Sequence, residues 1–111
     1  MRLLLPVPPS TNNLFINIAG KGRVPSGGYK RWREAAAETL WQQKIKRFDV
    51  PVSLTITVED KGRRDVDNFA KAICDFLVRH EIIQDDSRKF VRRMTVQFGD
   101  IKGCQVDVAP I

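Results

Sequence analysis

Apolar and polar positions change period several times along the 111 residues. Arg2 to Val7 is a short apolar run that stops at prolines, which predicts a first strand. Pro8-Pro9-Ser10-Thr11-Asn12-Asn13 cannot extend it, because proline lacks a ladder donor and Ser and Asn favour turns. Leu14 to Ile18 is apolar but brief, and glycines at 20, 22, 27 and 28 follow, so a long loop is expected from about Pro8 to Gly28. A loop of that length in a compact domain is functional or mobile. From Tyr29 to about Lys46 the period becomes helical, with Trp32, Ala35, Ala36, Thr39, Leu40 and Gln43 on one face. Trp32 reads as the core anchor of that helix, and Arg47 to Pro51 ends it.

Val52 to Val58 alternates apolar residues with Ser and Thr, the mark of a strand with one solvated face. A second helix is predicted from about Val66 to His80, with Phe69, Ile73, Phe76 and Leu77 as its apolar stripe. Ile82 and Ile83 lead into Gln84-Asp85-Asp86, and Phe90 to Phe98 and Gln105 to Val108 read as closing strands joined by a turn at 99–103. The order is β-α-β-α-β-β. It predicts a single α+β domain over 1–111, two layers deep, with two helices packed on a mixed four-stranded sheet.

Composition narrows the possibilities without choosing among them. Lys and Arg number 19 against 13 Asp and Glu, a net charge of +6. That excess favours polyanions and says nothing of fold. Cys74 and Cys104 have neither CxxC nor zinc spacing. No apolar run approaches the ~20 residues of a membrane helix, and Pro6 cuts short the apolar start, so the expected place is the cytoplasm. The glycine-rich loop has neither GxxxxGK[ST] nor GxGxxG order, so no nucleotide cofactor is expected.

The densest chemistry lies between Lys61 and Asp86. On an extended segment positions i and i+2 face the same way, so Asp65 and Asp67 would present carboxylates together just before the second helix. Lys71 lies four residues past Asp67, one helical turn on. Asp86 comes a helix and a turn later, where a returning chain would bring it back. Like charges held close need a cation between them, and an oxygen-only set suits magnesium or manganese. Arg63, Arg64, Arg88, Lys89, Arg92 and Arg93 flank the set as candidate phosphate contacts, and Asn68 as a supporting polar group. Each residue also has a plainer use: Asp65 or Asp67 as a helix cap, Lys71 paired with Asp67 or Asp75, Asp85-Asp86 as turn residues.

Arg64-Asp65-Val66-Asp67-Asn68, then Lys71, Asp75 and Asp85-Asp86, resembles the core motif of the RusA family of Holliday-junction resolvases. Pro8-Pro9-Ser10-Thr11-Asn12 resembles that family's segment after the first strand. Ser26, Tyr29 and Trp32 resemble the opening of its first helix. The resemblance implies a small homodimeric endonuclease, often of phage or prophage origin, that nicks two opposing strands of four-way junction DNA symmetrically with magnesium or manganese, in recombination and repair. It implies Asp65, Asp67 and Asp86 as metal ligands and Lys71 as the catalytic lysine. It gives Asp85 and Asn68 lesser parts, and matches the basic residues only in kind. One position departs: the family often has glycine where the second helix ends, and here Glu81 stands, which predicts a different helix end.

Two rivals follow from the same residues. Asp49 with Glu59-Asp60-Lys61 imitates the D…ExK pattern of restriction-type nucleases, although all four lie around one strand. The other rival is a basic module that binds DNA junctions without cutting, its acids serving as caps and ion pairs.

Overall fold

In the computed structural model, which describes residues 1–111, the main sheet is built on its most apolar strand. That strand is β4 (Val52–Glu59), in which Val52, Leu54, Ile56 and Val58 are fully buried. β1 (Arg2–Leu5), β5 (Val91–Gly99) and β6 (Cys104–Pro110) complete the sheet in the order β1-β6-β4-β5. β6 is antiparallel to both β1 and β4, whereas β5 is parallel to β4. The sheet is therefore mixed, with two helices packed on it, as the α+β reading expected.

The turn at 99–103 does not make a hairpin of β5 and β6. It passes over the end of β4, which lies between them, and the Glu59 and Asp60 amides donate to the Gly103 and Gly99 carbonyls. Gly103 makes this possible. Its φ is +75°, and a Cβ there would lie 2.8 Å from the Leu5 carbonyl oxygen.

α1 (Gly27–Leu40) starts at Ser26, whose hydroxyl accepts from the Tyr29 amide, a standard N-cap. It buries Tyr29, Trp32, Ala36 and Leu40. Trp32 is the anchor expected of it, with its indole N–H donating to the Pro6 carbonyl at 2.9 Å. The helix ends six residues before Lys46, the expected limit. Gln43 explains the early stop. Its side-chain amide pairs with the edge of β1, accepting from the Leu4 amide at 2.7 Å and donating to the Leu4 carbonyl at 2.9 Å. One side chain thus closes an otherwise open sheet edge. β5, on the opposite edge, has no such partner.

α2 (Ala70–Arg79) is the crossover between the parallel strands β4 and β5, and it buries Ala72, Ile73, Cys74, Phe76 and Leu77. The chain enters it through a separate 3₁₀ turn, Val66–Asn68, instead of one helix from Val66. Its other end has the hydrogen bonds of a Schellman motif: the Ile82 amide to the Leu77 carbonyl at 2.9 Å, and the Glu81 amide to the Val78 carbonyl at 3.0 Å. Glu81 takes the left-handed position, φ +59°, the one non-glycine residue to do so. The expected departure at this helix end is corrected. Buried Leu77 and Ile82 hold the geometry, and Glu81 adopts the conformation that glycine would take without strain.

The expected loop from Pro8 to Gly28 holds a second correction. Within it, β2 (Phe15–Ile18) and β3 (Gly22–Pro25) pair antiparallel as a two-stranded ribbon apart from the main sheet. Gly20 and Gly22, both at positive φ, form the turn. Four-residue strands with largely exposed side chains leave too little alternation for periodicity to detect.

Candidate active site

Parallel pairing of β4 and β5 decides where the acidic residues fall. The chain leaves the C-terminal end of β4, carries Asp65 and Asp67 through the 3₁₀ turn, descends α2, and returns through 81–90 to the N-terminal end of β5. Asp65 and Asp67 thus approach α2 from one end, and the segment bearing Asp86 from the other.

All three carboxylates are exposed, and none is held by a hydrogen bond or ion pair within the chain. Asp65 occupies the N-cap position of the 3₁₀ turn without a side-chain capping bond, and α2 itself starts from Phe69, so neither Asp65 nor Asp67 acts as a cap. Lys71 pairs with Asp75 at 3.0 Å, one turn ahead, and not with Asp67. The break at Phe69 explains this: Asp67 is on the 3₁₀ turn and shares no continuous helical face with Lys71.

Asp86 does return to α2. The hydrogen bond that Lys71 donates to Asp75 chiefly raises the Lys71 pKa above its ordinary value, and the charge of Asp86 adds to it. Lys71 therefore keeps its proton and supplies a fixed positive charge. Burial pushes the Cys74 thiol up to about 11, with help from Asp86 and Asp75, so Cys74 is an inert apolar residue beneath this surface. Neither Asp65 nor Asp67 contributes to these shifts. Asp85 has a local use, accepting from the Asp86 amide at 2.9 Å.

The donor chemistry suits a hard dication: free carboxylate oxygens without His or Cys. Within one chain, however, no three His, Cys, Asp or Glu side chains gather in a metal-holding group. The charge of Asp86 reaches Lys71, and Asp65 and Asp67 lie on the 3₁₀ turn that leads into α2. Magnesium tolerates few protein ligands and keeps waters or substrate oxygens for the rest.

Among the basic residues, Arg64 is the one fixed in place. Its guanidinium donates to the Glu59 carbonyl at 2.8 Å and lies 3.8 Å from the Glu59 carboxylate. Arg63, Arg88, Lys89, Arg92 and Arg93 are exposed on the loops and on β5, and Arg92 donates to the Arg88 carbonyl at 3.2 Å. Residues near 10 and near 65, far apart in sequence, meet here. The Thr11 hydroxyl donates to the Asn68 carbonyl at 3.1 Å, and a hollow of about 310 Å³ is lined by Pro8, Ser10, Arg63, Arg64, Asp65 and Asn68 among others. Ser10 was expected only as part of the Pro8–Asn12 segment, and its place beside Asp65 was not, because no local spacing ties the two.

The D…ExK rival fails on geometry. Asp49 precedes β4 and Glu59 ends it, so seven strand residues, ~23 Å, separate them, and Glu59 is taken by Arg64.

Comparison with known proteins agrees with the motif. The family model described as Endodeoxyribonuclease RusA matches residues 6–109. The chain belongs to the RusA endodeoxyribonuclease family. A relative from Enterobacteria phage HK97, named crossover junction endodeoxyribonuclease rusA, is 27% identical over 104 residues, covering 91% of this chain and 78% of the relative. The family match takes in both the Pro8–Asn12 segment and the Arg64–Asp86 stretch, which the hollow beside Asp65 joins in space. No helix is long and apolar enough to cross a membrane.

Proposed function

We propose that this chain is a structure-selective endodeoxyribonuclease that resolves four-way DNA junctions by paired symmetric nicks, acting as a homodimer in the cytoplasm in DNA recombination and repair. One observation carries the reading: the family match over residues 6–109 includes Asp65, Asp67, Lys71 and Asp86, and the fold returns Asp86 to the helix that bears Lys71. Asp65, Asp67 and Asp86 would hold magnesium, or manganese in its place. A bound dication of this class lowers the pKa of a coordinated water and neutralises charge on phosphoryl oxygens.

The chain's own groups divide the remaining work. The Lys71 ammonium, kept charged by Asp75 and Asp86, stabilises negative charge as it develops on the phosphate. Arg64, anchored on Glu59, offers its remaining donors to a backbone phosphate beside Asp65. Asn68 closes the same hollow. Arg63, Arg88, Lys89, Arg92 and Arg93 add positive potential along the strand's path. An isologous dimer would present two copies of the site to a junction with approximate two-fold symmetry.

The test is direct. The purified chain is incubated with a synthetic four-way junction and with linear duplex, with and without magnesium. Paired nicks in the junction alone, dependent on the metal, support the proposal; an intact junction at millimolar magnesium refutes it. A second reading, a basic junction-binding module without catalysis, draws on the Lys71–Asp75 pair and on the ungathered carboxylates. It requires junction binding with no scission in any divalent metal.

A further inference from the structure

The positive charge of this protein is not spread along the chain. The first 33 residues hold six Lys and Arg and no Asp or Glu, while the other 78 hold 13 of each. The whole net charge of +6 therefore belongs to β1, the ribbon and the first turns of α1. Of those six residues only Arg2 is paired, with Asp107 at 2.8 Å; Lys21, Arg23, Lys30, Arg31 and Arg33 have no carboxylate partner.

Two of the unpaired arginines are held by aromatic rings. The Arg23 guanidinium lies 4.5 Å from the centre of the Phe15 ring, and that of Arg33 lies 4.0 Å from the centre of the Tyr29 ring. The two rings meet edge to face at 5.6 Å. A continuous series, Arg23–Phe15–Tyr29–Arg33, thus runs from the ribbon into α1. Tyr29 is buried, so the series has a rigid foot. A guanidinium held on a ring face keeps its N–H edge free for a bidentate acceptor and loses little freedom on binding one. Beside it, Thr11, Asn12, Phe15, Asn17 and Arg23 line an open hollow of about 430 Å³ that contains no acidic residue. In the pairing register Asn17 stands opposite Arg23, so both occupy one face of the ribbon. A two-stranded ribbon also fits the width of a DNA major groove.

We propose that the β2–β3 ribbon is a duplex-holding arm, in which Arg23 and Arg33, set in place by Phe15 and Tyr29, take backbone phosphates of one DNA arm while Asn17 faces its groove. This deepens the junction-nuclease reading and rests on it. The acceptor is DNA phosphate because the arm is cationic, carboxylate-free and lined with amide side chains. The arm joins the motif region through the Thr11–Asn68 hydrogen bond. DNA held on the ribbon is thereby set at a fixed position relative to Lys71.

The test measures equilibrium binding of a labelled four-way junction in chelator, so that no cutting occurs, across a series of salt concentrations. Arg23→Gln and Arg33→Gln are each expected to lower affinity by about tenfold and to reduce the slope of log affinity against log salt by ~0.9. Arg23→Lys restores the slope but not the full affinity. Phe15→Leu leaves the slope unchanged and weakens binding. Melting curves check that each variant is folded, and Arg23→Lys guards against a purely structural effect. Wild-type slope and affinity in both glutamine variants would overturn the proposal, most clearly if Arg92→Gln/Arg93→Gln lowers them instead. A wild-type chain that cuts junctions while the ribbon variants behave normally removes this inference alone. A wild-type chain that neither binds nor cuts removes the parent reading as well.

Discussion

The N-terminal third and the Lys61–Asp86 crossover divide two duties that the charge total conceals. The first carries six cations and no acid; the second mixes Asp65, Asp67, Asp75, Asp85 and Asp86 with Lys and Arg. Apart from Arg2, which pairs with Asp107, the cations of the first are held by rings or left free, whereas in the second Arg64 is tied to Glu59 and Lys71 to Asp75. Unpaired cations suit affinity for a polyanion, because they release its counterions. Cations held beside carboxylates suit chemistry, where position matters more than net charge. Substitutions in the two regions should therefore affect different measurements.

The largest separation is expected at the acids. Asp65→Asn and Asp86→Asn should each lower the single-turnover nicking rate of a four-way junction by roughly 10²–10⁴-fold. Junction binding should be kept or strengthened, since a negative charge near phosphate is gone. Loss of binding along with cutting would abolish the division of duties. Lys71→Ala comes next, with a rate fall of roughly 10²–10³-fold and little change in affinity.

The pH profile sharpens the role of that lysine. Its pKa is raised by Asp75 first and Asp86 second, so the stabilisation from its charge is complete below the ordinary 10.5 and is lost only above the raised value. A nicking rate that falls with a pKa well below 10 in the wild type, and no longer does so in Lys71→Arg, would contradict a fixed-charge role. A smaller effect concerns the helix end before Asp86. Glu81→Gly relieves a left-handed residue and should stabilise the fold by ~1 kcal/mol, raising Tm by roughly 4 °C without changing the nicking rate. The same substitution removes the ion pair of Glu81 with Arg47, but that pair is exposed and 3.6 Å long and contributes little. The smallest effect is at His80. Burial, then Arg79, lowers its pKa, so stability is present above the ordinary 6.5 and declines as pH falls through the lowered value. His80→Gln should flatten that acid slope in thermal melts.

How much of this was legible in the residues differs from element to element. β4 and the stripe of α2 were clear, because Leu54, Ile56, Ile73 and Leu77 are buried and repeat at the period of their element. Trp32 was clear as an anchor for the same reason. The ribbon was not, since strands as short and exposed as Phe15–Ile18 bury no regular face. Nor was the end of α1, because Gln43 leaves the helical period to pair with the Leu4 backbone, a contact no local pattern encodes.

By itself the sequence determined the α+β class, the two helices, and the stretch in which Asp65, Asp67, Lys71 and Asp86 recur at spacings that resemble a nuclease family. Those follow from short-range periodicity and residue chemistry. The tertiary structure alone decided that β5 joins β4 in parallel, so that Asp86 arrives from the far end of α2 and Lys71 pairs with Asp75. It also decided that rings from two elements hold Arg23 and Arg33. Strand order and contacts between distant segments depend on which faces bury each other, and periodicity shows only which residues seek burial, not which partner they find.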